Sequence, residues 1–151
     1  MSKRKSKSLP AGKTLARLQE MLLKAALLNE PLPGSSRPLH LPDLQFILRH
    51  PHIYLSDENL AGKISVEGLP KPLRIMSQED LQKAARTEAD VAYLHFQPPD
   101  AVEDTVRLTL EGKLITQDPN QHPMGLSSIQ VKFRKVGNRW DAEGDAAALA
   151  S

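Results

Sequence analysis

The chain contains no cysteine, which excludes a disulfide scaffold, thiol catalysis, thiolate zinc sites and cysteine-ligated iron–sulfur clusters. Aromatic residues make up only 4% of it, namely Phe46, Phe96, Phe133, Tyr54, Tyr93 and Trp140, too few for a platform that stacks single-stranded nucleic acid. No run approaches the roughly 20 apolar residues of a membrane-spanning helix. The most apolar stretch, residues 21–28, is interrupted by Lys24 and followed by Asn29, Glu30 and Pro31 rather than a small-residue cleavage site, so secretion is not expected. The glycine frameworks that cradle phosphates, the Gly-x-Ser-x-Gly nucleophile turn, the His-Glu-x-x-His zinc pattern and the calcium-loop pattern are all missing.

What is present is enough for one soluble domain. The 151 residues are 40% hydrophobic and 25% charged, and a chain of this length buries roughly two thirds of its unfolded surface without needing a structural metal. Charge is distributed unevenly. Residues 1–19 carry Lys3, Arg4, Lys5, Lys7, Lys13 and Arg17 with no acid, which leaves fourteen basic against eighteen acidic residues, net −4, in the remainder. Residues 1–12 are therefore expected to be a disordered basic arm, either solubilising or a contact for nucleic acid, ahead of a mildly acidic body. A cytoplasmic location is expected. An acid-free N-terminus leading into an amphipathic helix is also the pattern of an organellar address.

Periodicity divides the rest. Residues 14–29 read as a helix, with Leu15, Leu18, Leu22, Ala25 and Ala26 on one face and Lys13, Arg17, Glu20 and Lys24 opposite. Pro31, Pro33 and Gly34 stop it, and its apolar face is expected to dock on the chain's own sheet. Residues 43–49 fit a short helix capped by Asp43 or, by the alternation of Leu44, Phe46 and Leu48, a strand; the helix is preferred because Asp is a good N-cap. Short strands are predicted over 53–55, 63–66 and 73–76. Ser77-Gln78-Glu79-Asp80 has the form of a capping box, so a helix is predicted over 78–88. Strands follow over 91–96 and 105–115, the latter with Gly112 as a candidate bulge. A long loop is expected over 116–126, then alternation at Ile129, Val131 and Phe133, a two-residue turn at Gly137-Asn138, and a flexible Ala-rich tail over 143–151.

This pattern predicts an α+β fold: a single domain over residues 13–142, with an N-terminal amphipathic helix and a second helix packed on a mainly antiparallel, curved sheet. The order Val91-Ala92-Tyr93-Leu94-His95-Phe96, then Val106 to Leu114, then the strand closing on Val136-Gly137-Asn138-Arg139-Trp140, resembles the sheet of the cystatin-like superfamily of α+β rolls, which includes relatives of nuclear transport factor and ketosteroid isomerase. The resemblance covers the chain from residue 91 onward and rests on strand order and a Gly-x-x-Trp hairpin. It implies a cone-shaped domain used for binding, dimerisation or occasionally catalysis, while the Pro-rich middle departs from the usual plan.

Few residues invite chemistry. Tyr93 and His95 lie two apart on one predicted strand and share its face, with Asp90 at the strand's beginning, and these are the residue types of an acid–base pocket. Tyr and His on the solvent side of an amphipathic strand explain the same spacing. His50 and His52 flank Pro51 and could share a face, yet no third ligand is recognisable, so no metal site and no cofactor are expected. Arg107, Lys132 and Arg134 could form a basic stripe beside Thr109 and Gln130 if their strands pair, or simply a solvated sheet face. The expected function is a non-enzymatic binding or protein-interaction module with a protein partner or self-association. The alternatives are a nucleic-acid-associated protein gripping phosphates through Lys3, Arg4, Lys5, Lys7, Lys13 and Arg17, and a small pocket enzyme of ketosteroid isomerase-like type built on Asp90, Tyr93 and His95.

Overall fold

The computed structural model describes residues 9–102, 104–118, 120–143 and 147–150. Among them, three helices and a mixed eight-stranded sheet form an α+β architecture.

Helix α1 spans Gly12–Leu28, and all five residues of the predicted apolar face are buried, together with Ala16, Gln19, Leu23 and Leu27. It buries more than one stripe because Leu32, Leu39, Leu41 and Ile64 of the flanking loops join the core it forms with the sheet. The helix ends where Asn29 turns left-handed at φ 54° and the Glu30 amide donates to the Ala25 carbonyl at 2.9 Å, a Schellman closure before Pro31. Gln19 is completely buried. Its amide satisfies both of its ends on the loop opposite, donating to the Asn59 carbonyl and accepting from the Ala61 amide, each at 2.9 Å.

Helix α2 is the single turn Leu44–Ile47, so residues 43–49 take the helical option. Asp43 nevertheless gives no side-chain cap. Its carboxylate instead accepts from the Ser127 hydroxyl and fills the space above Gly112, where any Cβ would collide with it. The strand predicted over 63–66 does not form. The Ser65 amide donates to the Glu20 carboxylate of α1 at 2.8 Å, so a side chain takes the donor that a neighbouring strand would need.

The sheet has the order β2-β1-β3-β5-β6-β7, with β4 beside β5 and β8 beside β6. Strand β1 (Ile53–Ser56) lies between β2 (Leu73–Met76) and β3 (Val91–Phe96) and runs parallel to both. Helix α3 (Gln78–Glu88) makes the crossover from β2 to β3. Its predicted cap is present, since the Ser77 hydroxyl accepts from the Asp80 amide at 3.1 Å. The helix leaves through Ala89 at φ 82°, a left-handed conformation that favours glycine. The expectation of a mainly antiparallel sheet is therefore corrected to a mixed one: a helical crossover and the long connection over residues 57–72 return the chain in the same direction.

The second half is antiparallel. Strand β5 (Thr105–Ile115) pairs with β3 along its later residues and with β4 (Asp100–Val102) along its first, and on its other side with β6 (Met124–Val136). The register shifts between Gly112 and Lys113, but the extra residue is Leu126 of β6, across from the glycine expected to mark the bulge. Strand β7 (Arg139–Ala142) returns from a turn at Gly137, φ 64°, and Asn138. Strand β8 (Ala147–Ala150) runs along residues 127–130 of β6.

Alternation sends Ala92, Leu94, Phe96, Val106, Leu108, Leu110, Ile129, Val131 and Phe133 into the main core with α1. A smaller core on the opposite face joins Tyr54, Met76, Val91, Tyr93 and Ile115 to Leu81 and Ala85 of α3. That helix covers only the β2-β1-β3 end, and the same face of β5 and β6 carries Arg107, Thr109, Glu111, Gln130, Lys132 and Arg134.

Candidate functional site

The polar face around His95 contains most of the chemistry-bearing side chains. Tyr93 and His95 share the face as their spacing predicts, but α3 treats them differently. Tyr93 is 1% exposed inside the α3 core, so it is not a solvent-face residue. Burial pushes its hydroxyl up to about 12, against the lowering effect of a Gln78 hydrogen bond and with the negative charges of Glu58 and Glu111 adding to the rise. It stays neutral at ordinary pH.

Two residues on, His95 sits beyond the cover of the helix, between two carboxylates. Its Nδ1 lies 3.0 Å from Glu111 Oε1 across the β3–β5 pair, and its Nε2 lies 3.4 Å from Glu58 Oε1. Both ring nitrogens are thus occupied by acceptors on opposite sides of the ring. Asp90 stands at the other end of β3, where Oδ1 accepts from the Gln117 amide at 3.3 Å and its carbonyl accepts from Arg49 at 3.0 Å. Tyr93 and His95 thus feel the same two glutamates, while Asp90 is engaged elsewhere.

Farther along the face, three rungs of the β5–β6 pair set Thr109 opposite Gln130, Arg107 opposite Lys132 and Thr105 opposite Arg134. The basic stripe exists, but acids are interleaved with it. Arg107 lies 3.9 Å from Asp100, and Arg134 lies 3.7 Å from Asp104 and 2.8 Å from Glu143. The hydrogen bond from Arg134 holds the Glu143 carboxyl below the usual carboxylate range. A surface of alternating sign lacks the excess of positive charge that a phosphate backbone needs.

The two histidines share Tyr54 as a neighbour, the His50 ring lying 5.5 Å from it, but they differ in burial. His50 is buried and its Nε2 accepts from the Ala92 amide at 3.0 Å, so that nitrogen is committed to the backbone of β3. The His52 ring lies 6.3 Å from that of Tyr54. Among the described residues, no group of three or more His, Asp or Glu side chains is placed to hold a metal ion. No helix among them is long and apolar enough to cross a membrane.

Of the basic residues singled out at the N-terminus, Lys3, Arg4, Lys5 and Lys7 lie outside the described residues, and Lys13 and Arg17 are exposed on α1 with Lys24 on the same side. Sequence reasoning missed Glu58, which closes the second side of His95, because nothing local links a turn residue to β3. It also missed a cleft of about 300 Å³ at the β2 end, lined by Tyr54, Arg74, Met76, Asp80, Lys83 and Thr87. Its lining comes from two strands and a helix, and only the βαβ crossover brings them together. Compared with known proteins, the chain matches no protein-family model, no curated protein and no solved structure.

Proposed function

We propose that this chain is a non-catalytic protein-interaction module. The observation that carries the proposal is the engagement of Asp90, Tyr93 and His95: one holds a loop amide, one is sealed beneath α3, and one is held between two glutamates. Side chains spent in this way serve the fold, and they leave the open face of β5 and β6 available for contact. The cystatin-like likeness, in which binding is a common use, is proposed on the antiparallel run β3-β5-β6-β7 alone, and the parallel end departs from it. The test is chemical crosslinking in native cells followed by reconstitution with the purified partner. A saturable complex that His95→Gln leaves intact is expected. Turnover of ester, phosphate or enolisable ketone substrates that disappears in Asp90→Asn or His95→Gln overturns the proposal.

A second reading has its own observation. Exposed Lys13, Arg17 and Lys24 extend the basic segment along α1, which favours association with nucleic acid through the N-terminus. Four arm cations on a duplex imply a salt slope of about −3 to −4. Fluorescence anisotropy with a generic duplex and a generic RNA, comparing the full chain with one lacking residues 1–12, is the test. Salt-sensitive binding lost with the arm supports this reading, and no binding at low salt removes it.

A further inference from the structure

The two ends of the sheet are finished differently. At β7 the segment before α2 caps the last residue of the edge, where the Ala142 amide donates to the Pro33 carbonyl at 2.7 Å. At the other end β2 pairs only with β1 among the described residues. The parallel register fixes which of its backbone groups remain available. The Ile53 amide donates to the Pro72 carbonyl at 2.8 Å and the Asp57 amide to the Met76 carbonyl at 2.9 Å, so residues 72, 74 and 76 face β1. Leu73 and Ile75 between them turn their N–H and C=O groups outward.

The side chains at this edge alternate in kind. Leu73 packs against the main core, and on the same face Ile75, 41% exposed, is one of few large apolar side chains open to solvent. On the other face Arg74 is exposed and lines the cleft it shares with Tyr54 and Lys83. No ion pair to Arg74 occurs among the described residues, whereas Lys83 lies 3.4 Å from Glu79. Natural edges are usually blunted by proline, lysine or a covering loop. Here the nearest prolines, Pro70 and Pro72, precede the strand, and none lies within it.

Charge selects the occupant. In a pairing of two β2 strands that uses both outward residues, Leu73 faces Ile75 of the second copy and Arg74 faces its own counterpart. Like charges directly opposite are destabilising, so a second copy is disfavoured. The basic arm of this chain is unsuitable for the same reason. Building on the interaction-module reading, we infer that the β2 edge receives an extended segment of a partner protein. That segment adds a strand to the sheet, places an acidic side chain opposite Arg74 and sets apolar residues against Leu73 and Ile75. Main-chain hydrogen bonds supply attraction, and the alternation of apolar and acidic positions supplies selectivity.

The experiment is an NMR titration of the full-length ¹⁵N-labelled chain with two synthetic eight-residue peptides of alternating valine and threonine, one with a central glutamate and one with a central lysine. The glutamate peptide is expected to shift the Leu73 and Ile75 amides and slow their hydrogen exchange. It is expected to bind about fivefold more tightly than its lysine twin, the size of a favourable cross-strand charge pair exchanged for an unfavourable one. Arg74→Glu reverses the preference. Ile75→Pro removes an outward donor while leaving the pairing with β1, and abolishes the exchange protection; an unchanged thermal midpoint shows that the fold persists. Equal affinity for both peptides, or shifts confined to other strands, overturns the inference. A reconstituted partner complex with exchange protection away from β2 also overturns it while leaving the interaction module standing. Turnover dependent on Asp90 or His95 overturns the module itself.

Discussion

The parallel and antiparallel ends of one sheet solve burial in different ways. Strand β1 is buried at all four positions and β3 at five of six, whereas β6 alternates buried with open positions along its middle. The difference follows from coverage: β1 and β3 have the α1 core on one face and α3 on the other, while β5 and β6 have a helix-filled core on one face only. A residue's neighbours across the sheet decide its role more than its own polarity does. Tyr93 and His95 make the point on a single strand, where two residues of one face have become a sealed phenol and a partly open imidazole.

The largest test of this contrast removes a side chain from the shared core. Phe96→Ala, at a fully buried position of β3, is expected to lose about 3–5 kcal/mol in urea denaturation. Next comes alkaline pH. The Tyr93 hydroxyl is raised from 10.0 to about 12 by burial, so the folded state holds this proton more tightly than the unfolded chain does. Its contribution is complete below pH 10 and is lost as the pH rises towards 12, a change of about 2–3 kcal/mol. Stability measured across that window is expected to fall steeply, and Tyr93→Phe is expected to flatten this component of the fall. At the junction of the two ends, Gly112→Ala drives a methyl into the Asp43 carboxylate and is expected to destabilise by about 1–3 kcal/mol. Pairing it with Asp43→Ala is expected to recover part of that loss, as a double-mutant cycle would show.

A smaller effect has the opposite sign. Ala89→Gly relieves the φ of 82° at the end of α3 and is expected to stabilise the parallel end by about 1 kcal/mol. Smallest of all, truncation of an exposed charge such as Lys132→Ala on the open antiparallel face is expected to stay within about 0.5 kcal/mol in the same assay. A change of several kcal/mol there would place that face in a core and end the comparison.

Much of the antiparallel end was legible because its signals are local. The alternation through Val106 to Leu110 and the turn at Gly137-Asn138 announce themselves within a few residues, as does, at the parallel end, the Ser77 cap. The helical stripe of α1 likewise identified its buried face. The parallel end was opaque for the converse reason: β1 and β2 are four residues each, joined by a Pro-rich connection, and nothing local states which strand lies beside which. Residues 63–66 had a strand's pattern and lost it to Glu20. Asp43 had a cap's identity and was drawn instead to Ser127. Of the candidate site, the shared face of Tyr93 and His95 was readable. The cover of α3 over one and the approach of Glu58 to the other depended on tertiary packing.

The burial of α1 has a consequence for the order of events during synthesis. Leu18 and Leu22 complete a core whose other members include Leu108, Val131 and Phe133, translated long after the helix itself. At about 5–20 residues per second, that apolar face waits on the order of 5–20 s for its partners to leave the ribosome. The nascent chain therefore passes through an interval in which the apolar face of α1 is uncovered until the sheet closes over it.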